Sequence, residues 1–200
     1  MPSRPSAAAP IARRRDPYAA VLDAAIEILE EGGYGAFSIE AVAKRSGAGK
    51  TTVYRRWPSK AALFMELYNR ESAALLPVED MGSLRAELTT EITRIGQFWR
   101  ETACGRAFRA LIAEAQADAL TMIQFRTQFL PQRRAFARAI LERAVARGEI
   151  DRSHNIDVAV DMLFGFAIYR LITDDLAGGK RVVEQALDLF VNGLAPRSQT

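Results

Sequence analysis

A glycine turn between two short helical segments constrains the fold of this chain more than any other feature of the sequence. The first segment, 41–47, reads AVAKRSG and places apolar residues on one side of a short helix. The second segment, 50–57, reads KTTVYRRW and is basic and rich in hydroxyl groups. This order predicts a helix-turn-helix, in which the second helix enters the major groove of DNA.

The periodicity of apolar residues predicts further helices on both sides of this unit. One begins near Pro17 and ends at the glycines of positions 32 and 33, and another begins near Ser59. Five more follow a break at 77–83, over about 84–99, 108–115, 120–147, 155–174 and 179–194. Pro131 should kink or divide the third of these, because proline removes a helical hydrogen bond. No segment alternates as a strand does, so we predict an all-α chain of about nine helices.

Breaks in the pattern divide the chain into three parts. Residues 1–16 form a flexible basic arm with Arg4, Arg13, Arg14 and Arg15, which is either a solvated tail or a contact to DNA. Residues 17–64 form an N-terminal three-helix domain that contains the helix-turn-helix. Residues 65–200 form a larger C-terminal helical domain.

Positive charge is concentrated at the N-terminal end. Residues 1–60 contain ten Lys and Arg against six Asp and Glu, a formal charge of +4. Residues 61–200 contain seventeen against eighteen, a formal charge of −1. A phosphate-binding module needs such an excess of cations, whereas the nearly neutral remainder suits packing or small-molecule binding.

The residues that catalysis and metal binding require are scarce. Cys104 alone rules out an internal disulfide, and with the one histidine, His154, it is too little for a structural metal site. No arrangement of nucleophile and base is recognisable, so we expect no enzymatic activity, no metal and no cofactor. The run 47–52, GAGKTT, is similar to the end of a phosphate-binding loop, but Lys44 stands where its first glycine belongs and a helix precedes it.

No targeting or membrane segment is recognisable. Residues 1–16 lack the apolar centre of a signal peptide. The most apolar window, 158–172, is too short for a membrane span and contains Asp161 and Arg170. We therefore expect a cytoplasmic protein without membrane contact.

Residues 17–64 resemble the DNA-binding domain of the tetracycline-repressor (TetR) family of bacterial transcriptional regulators. The matching segments are FSI at 37–39, AKRSG at 43–47, TVY at 52–54 and WPSK at 57–60, followed by Leu63. Their order, spacing and chemistry agree over about a quarter of the chain. Trp57 stands where phenylalanine is usual, and Ala48 replaces a larger aliphatic residue. The C-terminal region is similar to the family only in its helical layout.

The resemblance implies a homodimer with N-terminal DNA-binding domains and a C-terminal domain for ligand and dimer contacts. Members of the family usually repress transcription, and they release DNA when a small molecule enters the C-terminal domain. The expected partners are a double-stranded DNA operator, a second copy of the chain and an unidentified small-molecule effector.

The candidate DNA contacts lie in and beside the second helix of the helix-turn-helix. A lysine and two threonines in its first turn can reach base edges, and two later arginines can fork onto guanine or phosphate. The resemblance adds an aromatic residue and a lysine that contact phosphate, and a serine at a helix start is included with them. In chain order, these residues are Ser38, Lys50, Thr51, Thr52, Tyr54, Arg55, Arg56 and Lys60.

A ligand pocket is expected among the helices of the C-terminal domain. The candidate lining residues are Phe98, Trp99, Phe108, Met122, Phe125, Phe129, Phe164 and Tyr169. Few polar residues interrupt these apolar stripes, so a largely apolar or aromatic ligand is predicted. Arg126 and Gln128 could anchor one polar group of such a ligand.

The last two helices are apolar over more than one face, which predicts a second partner for them. We expect the pair to form a four-helix bundle with its symmetry mate, and the alternative is burial within one chain. The candidate interface residues are Val183, Leu187, Phe190 and Leu194.

Two alternatives to a ligand-released repressor remain open. The chain could be an activator, or a regulator that responds to no ligand. It could instead be a helical small-molecule carrier or enzyme that no longer binds DNA. The uneven charge and the intact basic segment 50–56 argue against the carrier or enzyme.

Overall fold

The computed structural model describes residues 17–75, 79–176 and 180–196, and the regular secondary structure of these residues is entirely helical. The predicted basic arm, 1–16, and the break at Pro77 lie outside them. The described α-helices are α1 (Pro17–Ala36), α2 (Ile39–Ser46), α3 (Lys50–Arg56), α4 (Lys60–Ser72), α5 (Leu84–Glu101), α6 (Ala103–Ala117), α7 (Ala119–Gln124), α8 (Leu130–Arg147), α9 (Ile156–Ile172) and α10 (Lys180–Leu194). The all-α prediction is confirmed.

Two shorter helical turns complete the described chain. A 3-10 turn, Ala73–Leu75, extends α4, and a π-helical turn, Phe125–Phe129, joins α7 to α8. If α7 and α8 are taken as the one divided helix that the sequence predicts, the predicted number of nine matches the described residues. Along those residues no helix has the length and apolarity that crossing a bilayer requires.

Local side-chain chemistry fixes the ends of the first helices. Ser38 Oγ accepts a hydrogen bond from the Ala41 N–H at 3.1 Å, and Ser59 Oγ accepts one from the Ala62 N–H at 3.0 Å. Gly47 follows α2 with a φ of 70°, a left-handed conformation that glycine adopts without a steric penalty. These ends determine where α2 stops and α4 starts, and hence how α3 is held between them.

The segment around Pro131 is divided by the π-helical turn. The N–H of Leu130 donates to the carbonyl of Phe125, five residues back, and Pro131 then lies in the first turn of α8. Proline has no N–H to donate, so it fits where the helical pattern is already interrupted. The turn also stacks the rings of Phe125 and Phe129, whose centroids are 5.3 Å apart.

Two groups of buried apolar residues hold the helices together. The first runs from α1–α4 into α6 and the π-helical turn, and the second joins α5, α8, α9 and α10. Helix α4 crosses the predicted domain boundary at residue 64, and its Phe64, Leu67 and Tyr68 are buried in the first group. The division into 17–64 and 65–200 therefore stays a prediction, because one apolar core extends across it.

A buried carboxylate connects α5 to α8. Glu87 is fully buried, accepts a hydrogen bond from Arg143 Nε at 2.9 Å, and has Arg147 Nη1 3.0 Å from its other oxygen. A buried charge destabilises a fold unless it is paired, so these two arginines are what allow Glu87 to lie inside.

The predicted interface residues of α10 pack against other helices of the same chain. Leu187 and Leu194 are 1% and 9% exposed and belong to the second apolar group. Val183 and Phe190 are half-buried against the same group. Burial within one chain, the alternative left open above, therefore describes Leu187 and Leu194, because α5 packs along that side of α10, whereas a dimer contact through the half-buried Val183 and Phe190 stays a prediction.

Another side of α9 and α10 is left exposed by the residues that the structure describes. Its large apolar members, named here the outer apolar face, are Val158, Met162, Tyr169, Ile172, Val182 and Leu189. On α9 these residues and the exposed Gly165 follow one another at intervals of four, three, four and three residues. Such spacing aligns them in one stripe along the helix, as in helices that pack side by side.

Candidate DNA-binding surface and internal cavity

Helix α3 separates buried from exposed side chains as a DNA-reading helix must. Val53 and Trp57 are 0% and 1% exposed and pack in the first apolar group. The exposed side chains of the helix are Lys50, Thr51, Thr52, Tyr54, Arg55 and Arg56. Because two buried side chains fix the helix, its polar and basic side is a rigid surface rather than a mobile loop.

Glu66 of α4 fastens the C-terminal end of α3. Its two carboxylate oxygens accept hydrogen bonds from Trp57 Nε1 at 2.8 Å and from Arg56 Nη2 at 2.9 Å. The Arg56 guanidinium also lies over the Tyr18 ring, 5.6 Å from its centroid. Arg56 is thus held by the protein, whereas Arg55 forms no salt bridge with any residue that the structure describes. Of the two arginines, Arg55 is the one that DNA can reach without breaking an ion pair.

Tyr54 bonds to a carboxylate at the start of α2. Its hydroxyl donates to Glu40 Oε1 at 2.5 Å. This hydrogen bond is the largest cause of a raised pKa for Tyr54 and a lowered pKa for Glu40. A phenol has one proton to donate, so the predicted contact of Tyr54 with a phosphate requires it to leave Glu40.

Lys60 and Ser38, the two outlying candidates, differ in what they offer a phosphate. The Lys60 ammonium donates to the Tyr34 carbonyl at 2.8 Å and lies 3.9 Å from the centroid of the Tyr34 ring. Burial lowers the pKa of Lys60, and the negative charge of Glu114 opposes that shift. Ser38 caps α2 through its oxygen and keeps its hydroxyl proton for another acceptor. Lys60, in contrast, points at the C-terminal end of α1.

Two side-chain contacts connect the first four helices to α6 and α7. The Tyr34 hydroxyl donates to Glu114 Oε2 at 2.8 Å, and Ser59 Oγ lies 3.4 Å from Gln124 Oε1. Burial, reinforced by the bond to Glu114, raises the pKa of Tyr34, so its phenol remains protonated and can hold this bond. The helix-turn-helix is therefore connected to helices that also surround the cavity described next.

An internal cavity of about 90 Å³ lies between α4, α5, α6, α8, α9 and the π-helical turn. Its walls are mainly aliphatic and aromatic, with Leu88, Ile92 and Ile95 on α5 and Leu163 and Ile168 on α9. One water needs roughly 10–15 Å³ of such space, so the cavity has room for a small organic molecule.

Half of the predicted ligand residues face this cavity. Those that line it are Trp99, Phe108, Phe129 and Phe164. Phe98, Met122 and Phe125 pack in the first apolar group without lining the cavity, so they support its walls from outside.

The remaining predicted residues of this pocket point elsewhere. Tyr169 is 62% exposed and belongs to the outer apolar face, because its neighbour Ile168 is the one that α9 turns inward. Arg126 and Gln128, the predicted polar anchors, are exposed on the π-helical turn, whose Phe125 and Phe129 occupy its buried side. These three assignments are corrected accordingly.

The polar groups of the cavity come from α4, α5 and α8. Arg133 Nη1 donates to Ser72 Oγ at 2.7 Å, and Ser72 Oγ donates to the Tyr68 carbonyl at 2.7 Å. The Tyr68 hydroxyl accepts a hydrogen bond from Trp99 Nε1 at 2.9 Å. Glu91 of α5 lines the same space. A cation and a carboxyl group therefore share an otherwise apolar cavity.

Burial shifts the pKa values of both charged groups. It raises the pKa of Glu91 to about 7, although the charges of Arg94 and Arg133 act in the opposite direction. It also lowers the pKa of Arg133, against the opposing influence of Tyr68 and Glu91. Near neutral pH, the Glu91 carboxyl is therefore partly protonated and can donate a hydrogen bond.

Models of known protein families match both the N-terminal and the C-terminal part of this chain. A family model described as "Bacterial regulatory proteins, tetR family" matches residues 21–67, which run from α1 into α4. A second, described as "Tetracyclin repressor-like, C-terminal domain", matches residues 78–190, which include α5–α9 and most of α10. The chain belongs to the TetR family. As a TetR-family protein with this helix-turn-helix, it is a transcriptional regulator, which confirms the family and the class of function that the sequence predicts.

Relatives of this TetR-family regulator cover most of its length. The HTH-type transcriptional regulator YdeS of Bacillus subtilis is 31% identical over 172 residues, which are 86% of each chain. The DNA-binding transcriptional repressor TetR of Mycobacteroides abscessus is 33% identical over 160 residues, 76% of this chain and 83% of its own. The crystal structure of the TetR family transcription regulator SCO0332 superposes on this chain with a TM-score of 0.79. The superposition covers 90% of this chain and 99% of SCO0332, with 33% sequence identity.

Two functional candidates of the TetR-family chain, Glu91 and Arg133, are absent from the sequence prediction. A signal for them exists, because each interrupts an apolar stripe. Glu91 lies three residues after Leu88 and four before Ile95, and Arg133 lies four residues after Phe129. A charged residue on the inward side of a helix is unusual unless it has a partner or a function.

The Glu91 carboxyl should make the stability of this TetR-family regulator depend on pH. Because its folded pKa is raised, the folded state holds the proton more tightly, and stability falls as pH rises from about 4.5 through about 7. Glu91→Gln cannot ionise, so it should gain about 2–3 kcal/mol over the parent at pH 8 and almost nothing at pH 4.5.

Urea unfolding of parent and variant across this pH range measures the difference. Glu101→Gln, at the exposed end of the same helix, controls for the loss of a surface carboxylate. A gain from Glu91→Gln of equal size at both ends of the pH range would contradict the buried titration.

Proposed function

We propose that this chain is a repressor that binds a palindromic operator as a homodimer and releases it when a small, largely apolar molecule occupies the cavity. The observation that carries the DNA-binding part is α3, which is anchored by Val53 and Trp57 and exposes Lys50, Thr52 and Arg55. The repressor named among the relatives, from Mycobacteroides abscessus, supports this sign of regulation.

In this proposal the DNA contacts divide into two kinds. Lys50, Thr51, Thr52 and Arg55 read base edges from the exposed side of α3. Phosphates are bound by Ser38, Tyr54, Arg56 and Lys60, of which the last three exchange an internal partner for DNA. The exchange gives the free protein and its DNA complex different internal hydrogen bonds.

The homodimer forms through the outer apolar face. Soluble monomers rarely leave a contiguous apolar surface of this kind uncovered. The stripe on α9 and the exposed Val182 and Leu189 on α10 supply two helices per chain, which a two-fold axis turns into a four-helix bundle. The bundle places two α3 helices on one side of the dimer, at a spacing of roughly 34–36 Å when they occupy successive major grooves.

The cavity and the DNA surface are coupled through α6. This helix carries Phe108, which lines the cavity, and Glu114, which accepts the hydrogen bond of Tyr34. A molecule in the cavity favours release of DNA only if it binds the released state more tightly. We propose no catalytic step, and a regulator of this kind acts in the cytoplasm, where the DNA of a bacterium lies.

Selection of bound duplexes from a random DNA pool tests the proposal directly. The purified chain is used at about 0.15 M salt, so that non-specific phosphate binding is suppressed. An enriched inverted repeat with half-sites about one helical turn apart is expected. Enrichment of a single half-site would contradict the dimer, and the absence of enrichment would contradict sequence-specific repression.

Arg55→Ala should weaken binding to the selected operator by about 10- to 100-fold, because a forked contact to guanine is lost. Arg56→Ala should cost less affinity, since Arg56 is already paired with Glu66 and its loss acts on the end of α3. Fluorescence anisotropy with labelled operator measures both variants beside a scrambled duplex. An Arg56→Ala variant weaker than Arg55→Ala would reverse the roles assigned here.

A further inference from the structure

The cavity contains a cation that forms no salt bridge within the described part of the chain. Arg133 is half-buried and forms no salt bridge with any residue in the described ranges, and its buried Nε has no hydrogen-bond partner there. Glu91 lines the same cavity but lies beyond the 4.0 Å limit of a salt bridge. An unpaired cation in an apolar surrounding is unfavourable, so this site is incomplete without an anion.

Three aromatic rings lie around the Arg133 guanidinium. Its Cζ atom lies over the rings of Tyr68, Phe129 and Phe136, 5.6 to 5.7 Å from their centroids. Cation–π contacts stabilise the charge but supply no hydrogen-bond acceptor for the guanidinium N–H groups. Ser72 Oγ accepts a hydrogen bond from Nη1, and the buried Nε–H has no acceptor among the described residues.

A carboxylate matches a guanidinium whose buried Nε–H has no acceptor among the described residues. Its two oxygens accept two parallel hydrogen bonds from a guanidinium, and the opposite charges make these bonds stronger than neutral ones. Glu91 adds a second polar group, because its partly protonated carboxyl can donate to a bound carboxylate or stay neutral beside it. A cationic ligand would instead be repelled by Arg133, and the Glu91 carboxyl is only partly ionised near neutral pH.

We propose that the cavity binds a small apolar molecule with one carboxylate group, held by Arg133 and surrounded by the apolar side chains of α5 and α9. That this molecule acts as an effector rests on the proposed function, whereas the anion site itself does not. The apolar body contacts Leu88, Ile92 and Phe164, which line the cavity together with Arg133. A cavity volume of about 90 Å³ favours a body of one ring or a short chain.

Matched acids and amides test for the carboxylate. Phenylacetate and hexanoate are titrated into the full chain by calorimetry at pH 7, each beside its neutral amide of nearly equal shape. At least one acid should bind about tenfold or more tightly than its amide. Equal affinity of acid and amide, or no binding of either acid at concentrations on the order of 10 mM, would overturn the proposal.

Variants of Arg133 locate the binding site. Arg133→Met removes the charge and keeps an unbranched apolar side chain, and it should reduce the preference for the acid to within about twofold. Arg126→Met, on the exposed side of the π-helical turn, is the matched control and should keep the full preference. A full preference in Arg133→Met would place the anion elsewhere. If Arg133→Met does not fold, Arg133→Lys replaces it and must keep the acid preference with a weaker affinity. A loss of the acid preference in Arg126→Met would also overturn the assignment.

Operator binding is measured separately, so the two proposals fail independently. An acid that binds through Arg133 without releasing the operator supports the anion site and contradicts the proposed repressor mechanism. Intact operator binding with no preference for acids contradicts the anion site alone.

Discussion

Leu187→Glu should prevent folding, whereas Leu189→Glu, two residues further along α10, should give a folded protein that no longer dimerises. Leu187 is 1% exposed and Leu189 is 80% exposed. Burying a carboxylate in place of a packed leucine costs on the order of 5 kcal/mol or more. That is comparable with the whole stability of many domains, which is about 5–15 kcal/mol. Leu189→Glu loses no internal packing and places like charges opposite each other across the proposed two-fold axis.

Circular dichroism and analytical ultracentrifugation separate these outcomes. Leu187→Glu should show no cooperative melting transition, and Leu189→Glu should melt cooperatively and sediment as a monomer. Leu187→Ala and Leu189→Ala serve as uncharged controls, of which only the first should lower the melting temperature strongly. A folded monomer from Leu187→Glu would contradict its burial within one chain. A persistent dimer from Leu189→Glu would place the interface outside the outer apolar face.

Gly105→Ala should destabilise the fold by about 3–5 kcal/mol, because the first turn of α6 passes directly against the end of α5. A Cβ atom at Gly105 would overlap the carbonyl oxygen of Phe98 and lie 2.7 Å from Trp99 Cα. The carbonyl is not free to move, since it accepts hydrogen bonds from the Thr102 N–H at 3.2 Å and the Thr102 hydroxyl at 2.8 Å. Relief of the overlap therefore separates α5 from α6 and disturbs the cavity wall at Trp99.

Gly96→Ala, on α5, is the matched control for this prediction. Its added Cβ would meet only the flexible end of Arg100 at 3.5 Å, an ordinary contact. Alanine also favours helix over glycine, so this variant should be unchanged or more stable by up to about 1 kcal/mol. Chemical denaturation of both variants measures the contrast, and equal stabilities would refute the close approach of α5 and α6.

The helix-turn-helix could be predicted because short-range chemistry determines it. Gly47 ends α2, Ser38 and Ser59 cap helices, and Val53 and Trp57 lie four residues apart on the buried side of α3. None of these features depends on a distant part of the chain. The helix ends and the buried positions could therefore be predicted from a few neighbouring residues.

The lining of the cavity and the covered side of α10 were predicted less well because distant contacts decide them. The π-helical turn adds a residue to the helical path, so Arg126 lies outside while Phe125 and Phe129 lie inside. Helix α10 is apolar on more than one side, and the position of α5 decides that Leu187 is covered and Leu189 is not. Periodicity identifies the faces of a helix, but it does not say which neighbour each face meets.

A small tilt of α6 would displace its Glu114 end relative to the first four helices. Phe108, at the cavity, and Glu114, which holds Tyr34, are six residues apart on this helix, or about 9 Å along its axis. A tilt of about 10° around Phe108 therefore moves Glu114 by roughly 1.6 Å. The hydrogen bond to Tyr34 is 2.8 Å long, and an extension of that size breaks it. In the proposed repressor, a small molecule that tilts α6 would thus break this hydrogen bond while the apolar contacts of α6 with α1 and α4 persist.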